Sequence, residues 1–145
     1  MHSPRDTFKT VLKTHRQSVT KARLGVFSTL LGQEPLTMHE LVTQCRGIDR
    51  ASVYRAVALF ETLCIVQRVH IGWKYKLELS DTFTEHHHHL TCLHCGKIIS
   101  LGGATLEKII DNLAKTNCFA PVSHQIEIQG YCIACQRKRT SAGSR

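Results

Sequence analysis

The sequence predicts an α+β chain of two small domains, a helical N-terminal half closed by a β-hairpin and a C-terminal half of short strands with one helix. Three observations predict it. Apolar residues recur at helical spacing as far as Leu63 and alternate at strand spacing from Ile65 to Leu79. Beyond them stands His86-His87-His88-His89-Leu90-Thr91-Cys92-Leu93-His94-Cys95-Gly96, a density of metal-binding side chains that no apolar core requires. At 145 residues the chain holds one domain of ordinary size or two small ones, and small ones call for metal or a second copy to stabilise them.

The elements follow in order. Phe8, Val11 and Leu12 give the i, i+3, i+4 pattern of a first amphipathic helix over residues 6–16. Thr20 is a candidate N-cap for a second helix through Ala22, Val26, Phe27, Leu30 and Leu31, stopped by Gly32 and Pro35. Thr37 with Glu40 three residues on is a capping box for a third helix, which Gly47 ends. A fourth helix runs from about Asp49 to Leu63, with Val53, Val57, Leu59, Phe60 and Leu63 available to the core. Arg50, Ser52, Tyr54 and Arg55 occupy its first turns. Three short helices followed by one that opens on Arg, Ser, Tyr and Arg is the order in which a helix-turn-helix presents a reader to a major groove. Residues 65–70 and 74–79 alternate around Gly72-Trp73 and read as a hairpin, the wing of a winged helix.

Residues 81–85 make a hinge. After the histidine run, Ile98–Leu101 reads as a strand, Ala104–Thr116 as a helix with Leu106, Ile109, Ile110 and Leu113 on one face, and Ile126–Tyr131 as another strand. One helix on a small sheet leaves an apolar face that a second copy would cover. The remainder, 137–145, is basic, contains Ser and Gly, and reads as a disordered tail.

The formal charge of +8 and the isoelectric point near 9.3 make a polyanion the default partner. No apolar run approaches the ~20 residues of a membrane span, and the N-terminus, Met1-His2-Ser3-Pro4-Arg5-Asp6, carries no secretory signal. A cytoplasmic protein is expected, so seven cysteines read as metal ligation rather than a disulfide framework. Cys92 and Cys95 form one CxxC, and Cys132 and Cys135 form another. Four thiolates make a closed structural zinc site, but the 36 residues between the knuckles must fold so as to bring them together. The alternative is two pairs of buried or disulfide-linked cysteines. Cys45, Cys64 and Cys118 read as small core residues.

In a strand, successive side chains point to opposite faces, so His86 and His88 share one side and His87 and His89 the other. One run therefore feeds two sites. For further ligands the chain offers Glu78 before it and Glu107 and His124 after it. The bland alternatives are a solvated polar tract or a purification tag, and a tag sits at a terminus in a run of six.

These residues resemble the ferric uptake regulator family of bacterial metal-dependent repressors over nearly the whole chain. The resemblance is carried by Thr20-x-x-Arg23, by Ala51-Ser52-Val53-Tyr54-Arg55, by Cys64-Ile65-Val66 before the wing, and by the block from His86 to Gly96. Glu107, His124 and the second CxxC complete it. It implies a winged helix-turn-helix DNA-binding domain over 1–80 and an α/β dimerisation and metal-binding domain over 86–136. It assigns Cys92, Cys95, Cys132 and Cys135 to structural zinc. Glu78, His87 and His89 match a regulatory site at the hinge, and His86, His88, Glu107 and His124 a further site in the dimerisation domain. Where iron-sensing members of that family carry another histidine, this chain reads Gln33-Glu34-Pro35-Leu36, with His39 a turn later. Three imidazoles in the second site suit zinc better than oxygen-rich sets do.

The function expected is a metal-responsive homodimeric repressor that binds an inverted-repeat DNA operator when the hinge site is loaded. Zinc or ferrous iron is the expected co-repressor, with manganese as a further candidate. Arg16, Thr20, Arg23, Arg50, Ser52, Tyr54 and Arg55 are the expected DNA contacts, the arginines chiefly to phosphates. The alternatives are a peroxide-sensing regulator of the same family and a zinc-dependent hydrolase. No HExxH or nucleophile elbow supports the hydrolase.

Overall fold

The structure, a computed structural model, describes residues 3–142. The chain divides into two compact units. The first runs to Val69 and takes in Lys74–Glu85, and the second comprises His70–Trp73 and the chain from His86 onward. The segment expected as a hinge, 81–85, thus groups with the first unit, and the hairpin tip groups with the second.

In the first unit, α1 (Pro4–Thr14), α2 (Lys21–Leu30), α3 (Met38–Gln44) and α4 (Arg50–Thr62) precede a hairpin of β1 (Val66–Ile71) and β2 (Lys74–Leu79). Each helix begins where a short polar side chain satisfies its first amides. Ser3 accepts from Asp6, Thr20 from Arg23 and Asp49 from Ser52, and Thr37 with Glu40 completes both halves of the capping box. Three phenylalanines centre the core. Phe8 stacks on Phe27 with centroids 4.2 Å apart and meets Phe60 edge-on at 5.3 Å. Leu12, Val26, Leu41, Val53, Ile65 and Leu77 close around them. A bridge between Leu36 and Leu77 ties the turn before α3 to β2, which fixes the wing against the helices.

In the second unit, β3 (His87–Cys92) is the central strand of a three-stranded sheet ordered β4-β3-β5, with β4 (Ile98–Gly102) antiparallel and β5 (Glu127–Gly130) parallel to it. Between β4 and β5 lies α5 (Ala104–Thr116). None of its residues is buried, although Leu106, Ile109, Ile110 and Leu113 form an apolar stripe. Every member of the buried hydrophobic cluster belongs to the first unit. Among the described residues, the second unit buries Cys92, Cys135, His88, His89 and Thr91.

The tail expectation is corrected. A last helix, α6 (Ile133–Ala142), starts at the second cysteine knuckle and carries residues 137–142 that had read as disordered. Residues 143–145 lie outside the described residues. The physical reason is local: the Cys135 and Gln136 amides both donate to the Cys132 carbonyl at 2.9 Å, and Ala, Gln, Arg and Lys follow with no Gly or Pro before Gly143. Among the described residues no helix is long and apolar enough to cross a membrane.

Truncating Phe8 removes the ring held between Phe27 and Phe60. Phe8→Ala is expected to cost about 3–5 kcal/mol, read as an earlier urea transition of the helical unit by far-UV circular dichroism. A loss under about 1 kcal/mol would contradict this packing.

Candidate metal centres and nucleic-acid interface

The parallel register of β3 with β5 assembles the cysteine cluster. Pairing runs from His89 with Glu127 to Cys92 with Gly130, and the Leu93 amide donates to the Gly130 carbonyl at 2.8 Å. The second knuckle therefore starts two residues beyond the end of the first strand's ladder. Cys92, Cys95, Cys132 and Cys135 converge with their sulfurs all within 4.8 Å of one another. Cys95 Sγ and Cys132 Sγ are 3.7 Å apart. An ion ~2.3 Å from each of four tetrahedral sulfurs sets them about 3.8 Å apart, so the residues fit zinc. The folded insert required by the sequence is β4, α5 and β5.

The sulfurs are electrostatically unequal. Backbone amides of Cys95 and Cys132 aimed at Cys92 hold its thiol down to about 6, with the Cys132 amide 3.3 Å from Cys92 Sγ. The Cys135 amide also lowers Cys132. Burial pushes Cys135 up to about 12, and the neighbouring sulfurs push it the same way. Cys92 is thus a ready thiolate and Cys135 a thiol that gives up its proton only to a cation.

The second cluster arises from strand alternation plus one helical turn. His86 and His88 lie on one face of the β3 segment, rings 4.7 Å apart, and α5 places Glu107 in its first turn opposite them. Glu107 Oε1 lies 2.8 Å from His88 Nε2, 3.1 Å from His124 Nε2 and 3.4 Å from His86 Nε2. The His86 and His124 Nε2 atoms are 3.0 Å apart. Tetrahedral nitrogen and oxygen ligands at ~2.0–2.1 Å sit about 3.3 Å apart, so this set also fits a divalent cation. The hydrogen bond from His88, then that from His124, holds the Glu107 carboxyl below the usual carboxylate range. Gly103 is a supporting residue that sequence reasoning missed: a Cβ there would stand 3.0 Å from Glu107 Oε1. The signal for it was a glycine directly before a predicted helix.

His87 and His89 meet edge-to-face on the other face, with ring centroids 4.7 Å apart, and His89 is buried. Glu78 lies on β2 in the first unit, 6% exposed, where its carboxylate accepts from Gln67 Nε2 at 2.7 Å. Gln67 is a second supporting residue that the site reading left out.

The expected DNA contacts divide by their local work. Thr20 caps α2. Arg23 donates to the Ser18 carbonyl at 2.6 Å and to Gln17 at 3.2 Å, which holds the turn before α2, and Arg16 sits in that turn with a φ of 54°. On α4, Val53, Ala56, Val57 and Phe60 face inward. Arg50, Tyr54 and Arg55 face solvent. Arg50 lies over the Tyr54 ring at 5.4 Å, and Arg55 donates to Ser52 at 3.1 Å.

A helical unit closed by a β-hairpin, with an exposed cationic face on its last helix, places the chain in the winged-helix class, and the second unit adds clustered thiols and imidazoles. The model of the ferric uptake regulator family matches residues 15–129, and the chain belongs to that family. Its members are transcription regulators. The chain is 32% identical to the ferric uptake regulation protein of Neisseria meningitidis over 94 residues, which is 63% of this chain, and it spans 62% of the length of that relative. To the corresponding protein of Yersinia pestis it is 32% identical over 130 residues, 83% of this chain and 85% of that one. The ferric uptake regulator of Helicobacter pylori, a structure reported to reveal three functional metal binding sites, shares the fold. Its TM-score is 0.76 at 24% identity, covering 93% of this chain and 95% of that one.

Zinc binding to the metal-free protein, at a pH between the Cys92 and Cys135 values, is expected to release at least the Cys135 proton. As pH falls through about 6, Cys92 must be deprotonated as well, so proton release rises and affinity weakens. Calorimetry in two buffers of different ionisation enthalpy measures this, and proton-neutral uptake contradicts it.

Proposed function

We propose that this protein is a homodimeric, metal-dependent repressor that binds an inverted-repeat DNA operator. In this reading the four cysteines hold structural zinc. His86, His88, Glu107 and His124 hold a second divalent cation, and Glu78 joins His87 and His89 at the regulatory site. The observation that carries the reading is the alternation along β3. One imidazole pair faces Glu107 and His124, and the other pair stands on the opposite face, outside that cluster. A strand built this way serves two sites with different partners.

Glu78, His87 and His89 would hold the regulatory cation, and the coupling to DNA binding would equal that cation's differential affinity for the DNA-competent state, typically ~1–3 kcal/mol. The chain's own residues do the rest. Tyr54 and Ser52 address base edges, and Arg50 and Arg55 hold phosphates with Arg16 and Arg23 behind them, which sets register more than sequence. The imidazole content favours zinc or ferrous iron as co-repressor over manganese.

Dimerisation is supported by the apolar surface of the second unit. Ile109 is 51% exposed, Leu113 60% and Ile128 51%, and α5 buries nothing within its own chain. A second copy of this chain covers that face and places two recognition helices on one duplex with two-fold symmetry. Ile109→Glu with Leu113→Glu is expected to shift the protein from dimer to monomer in light scattering. A dimer that survives both charges would remove this interface.

The decisive experiment selects an operator from a random duplex pool with zinc-loaded protein. It then titrates binding with zinc, ferrous iron and manganese in parallel, for the native protein and for His87→Ala/His89→Ala. We expect the double variant to retain the cysteine-bound zinc and to lose at least tenfold in metal-dependent affinity, which is about 1.4 kcal/mol. Unchanged metal response would refute the regulatory assignment.

A further inference from the structure

Between α1 and α2 the first unit carries a groove of about 550 Å³, lined by Arg5 and Lys9 from one face of α1 and by Lys21, Leu24, Gly25 and Ser28 from one face of α2. The spacing explains why both faces are continuous: Arg5 and Lys9 are one turn apart, and the α2 residues fall at i, i+3, i+4 and i+7. All three cations are exposed. Lys9 stands 3.8 Å from Asp6, an exposed pair that contributes little. Among the described residues no carboxylate pairs with Arg5 or Lys21, and α2 has no acidic residue in its first turn. The floor, Leu24, Gly25 and Ser28, adds no charge of either sign. The groove is also rigid, because α1 is pinned by Phe8 on Phe27 and α2 packs on α3 and α4.

We propose that this groove seats the phosphodiester backbone of duplex DNA, a second contact besides the α4 face, with Arg5, Lys9 and Lys21 as its phosphate ligands. The inference rests on the DNA-binding reading above and extends it to residues of α1 and the start of α2 outside the expected contact set. Arg5 and Lys21 have no matching acid and Lys9 has only the exposed Asp6, so the three cations repel one another and a polyanion relieves that repulsion. The groove is open to solvent rather than enclosed, which suits an extended backbone laid across it more than a small anion held inside it. Sharing α2 with α4 makes the seat part of the same rigid body as the recognition helix. The contact carries no sequence information, since it reaches only phosphates.

Counterion release separates this contact from a generic charge effect. Each phosphate contact contributes about 0.9 to the slope of log K against log salt concentration. The full-length zinc-loaded protein is titrated against a labelled mixed-sequence duplex at several salt concentrations, alongside Arg5→Gln/Lys21→Gln and a control of equal charge loss, Lys108→Gln/Lys115→Gln on α5. Zinc content and circular dichroism establish that both variants fold. The groove variant is expected to lose about 1.8 per protomer from the slope, about 3.6 for a bound dimer, and the control less than about 0.5. Equal losses, or no loss in the groove variant, overturn the groove while leaving DNA binding intact. If the native zinc-loaded protein binds neither this duplex nor any selected operator, the DNA-binding reading itself fails, a different and recognisable result.

Discussion

The second unit depends on donor atoms where most domains depend on hydrocarbon. Among the described residues it buries two cysteines, two histidines and a threonine, while the aliphatic and aromatic core lies in the other unit. Buried imidazoles and thiols desolvate polar atoms, which is unfavourable unless a partner replaces water. Convergent Nε2 and Sγ atoms at ligand spacing suit a cation for that role. Folding and metal binding of such a unit are one equilibrium, because the ligand set does not exist in the unfolded chain.

Strand geometry makes that arrangement possible. β3 is central, so each of its faces meets a different neighbour, and its last residue reaches the start of the second knuckle through β5. The antiparallel pairing with β4 sets where the chain leaves the sheet, and the short step through Gly103 brings Glu107 over His88. A slip of one residue in β3 would exchange its two histidine faces and withdraw Cys92 from Cys132. The register is therefore a functional constraint as much as a structural one.

The first unit is organised by different forces. Capped short helices and a phenylalanine cluster give it a core that needs no ion, and its charged residues other than Glu78 are left to the surface. Arg16 and Arg23 illustrate how the two demands overlap. Arg23 holds the turn before α2 through Ser18 and Gln17, so its guanidinium has a structural task in the free protein whatever it later contacts. Arg50, Tyr54 and Arg55 carry less structural duty, since the inward face of α4 is complete without them.

By itself the sequence determined the helices of the first unit, their caps, the hairpin, and the two-sided reading of the histidine run. Each of these follows from short-range periodicity or from a side chain reaching its own backbone a turn away. It also offered each residue of the two clusters of the second unit as a candidate ligand, since residue type limits what can ligate a metal. Tertiary structure decided what depends on distant segments. It set the parallel register that joins Cys92 to Cys132 and brought Glu107 and His124 to His86 and His88. It also decided the use of Gln67 on Glu78. Contacts between residues dozens of positions apart leave no periodic trace in a single chain, because the energy that selects them comes from closing the fold rather than from any local preference.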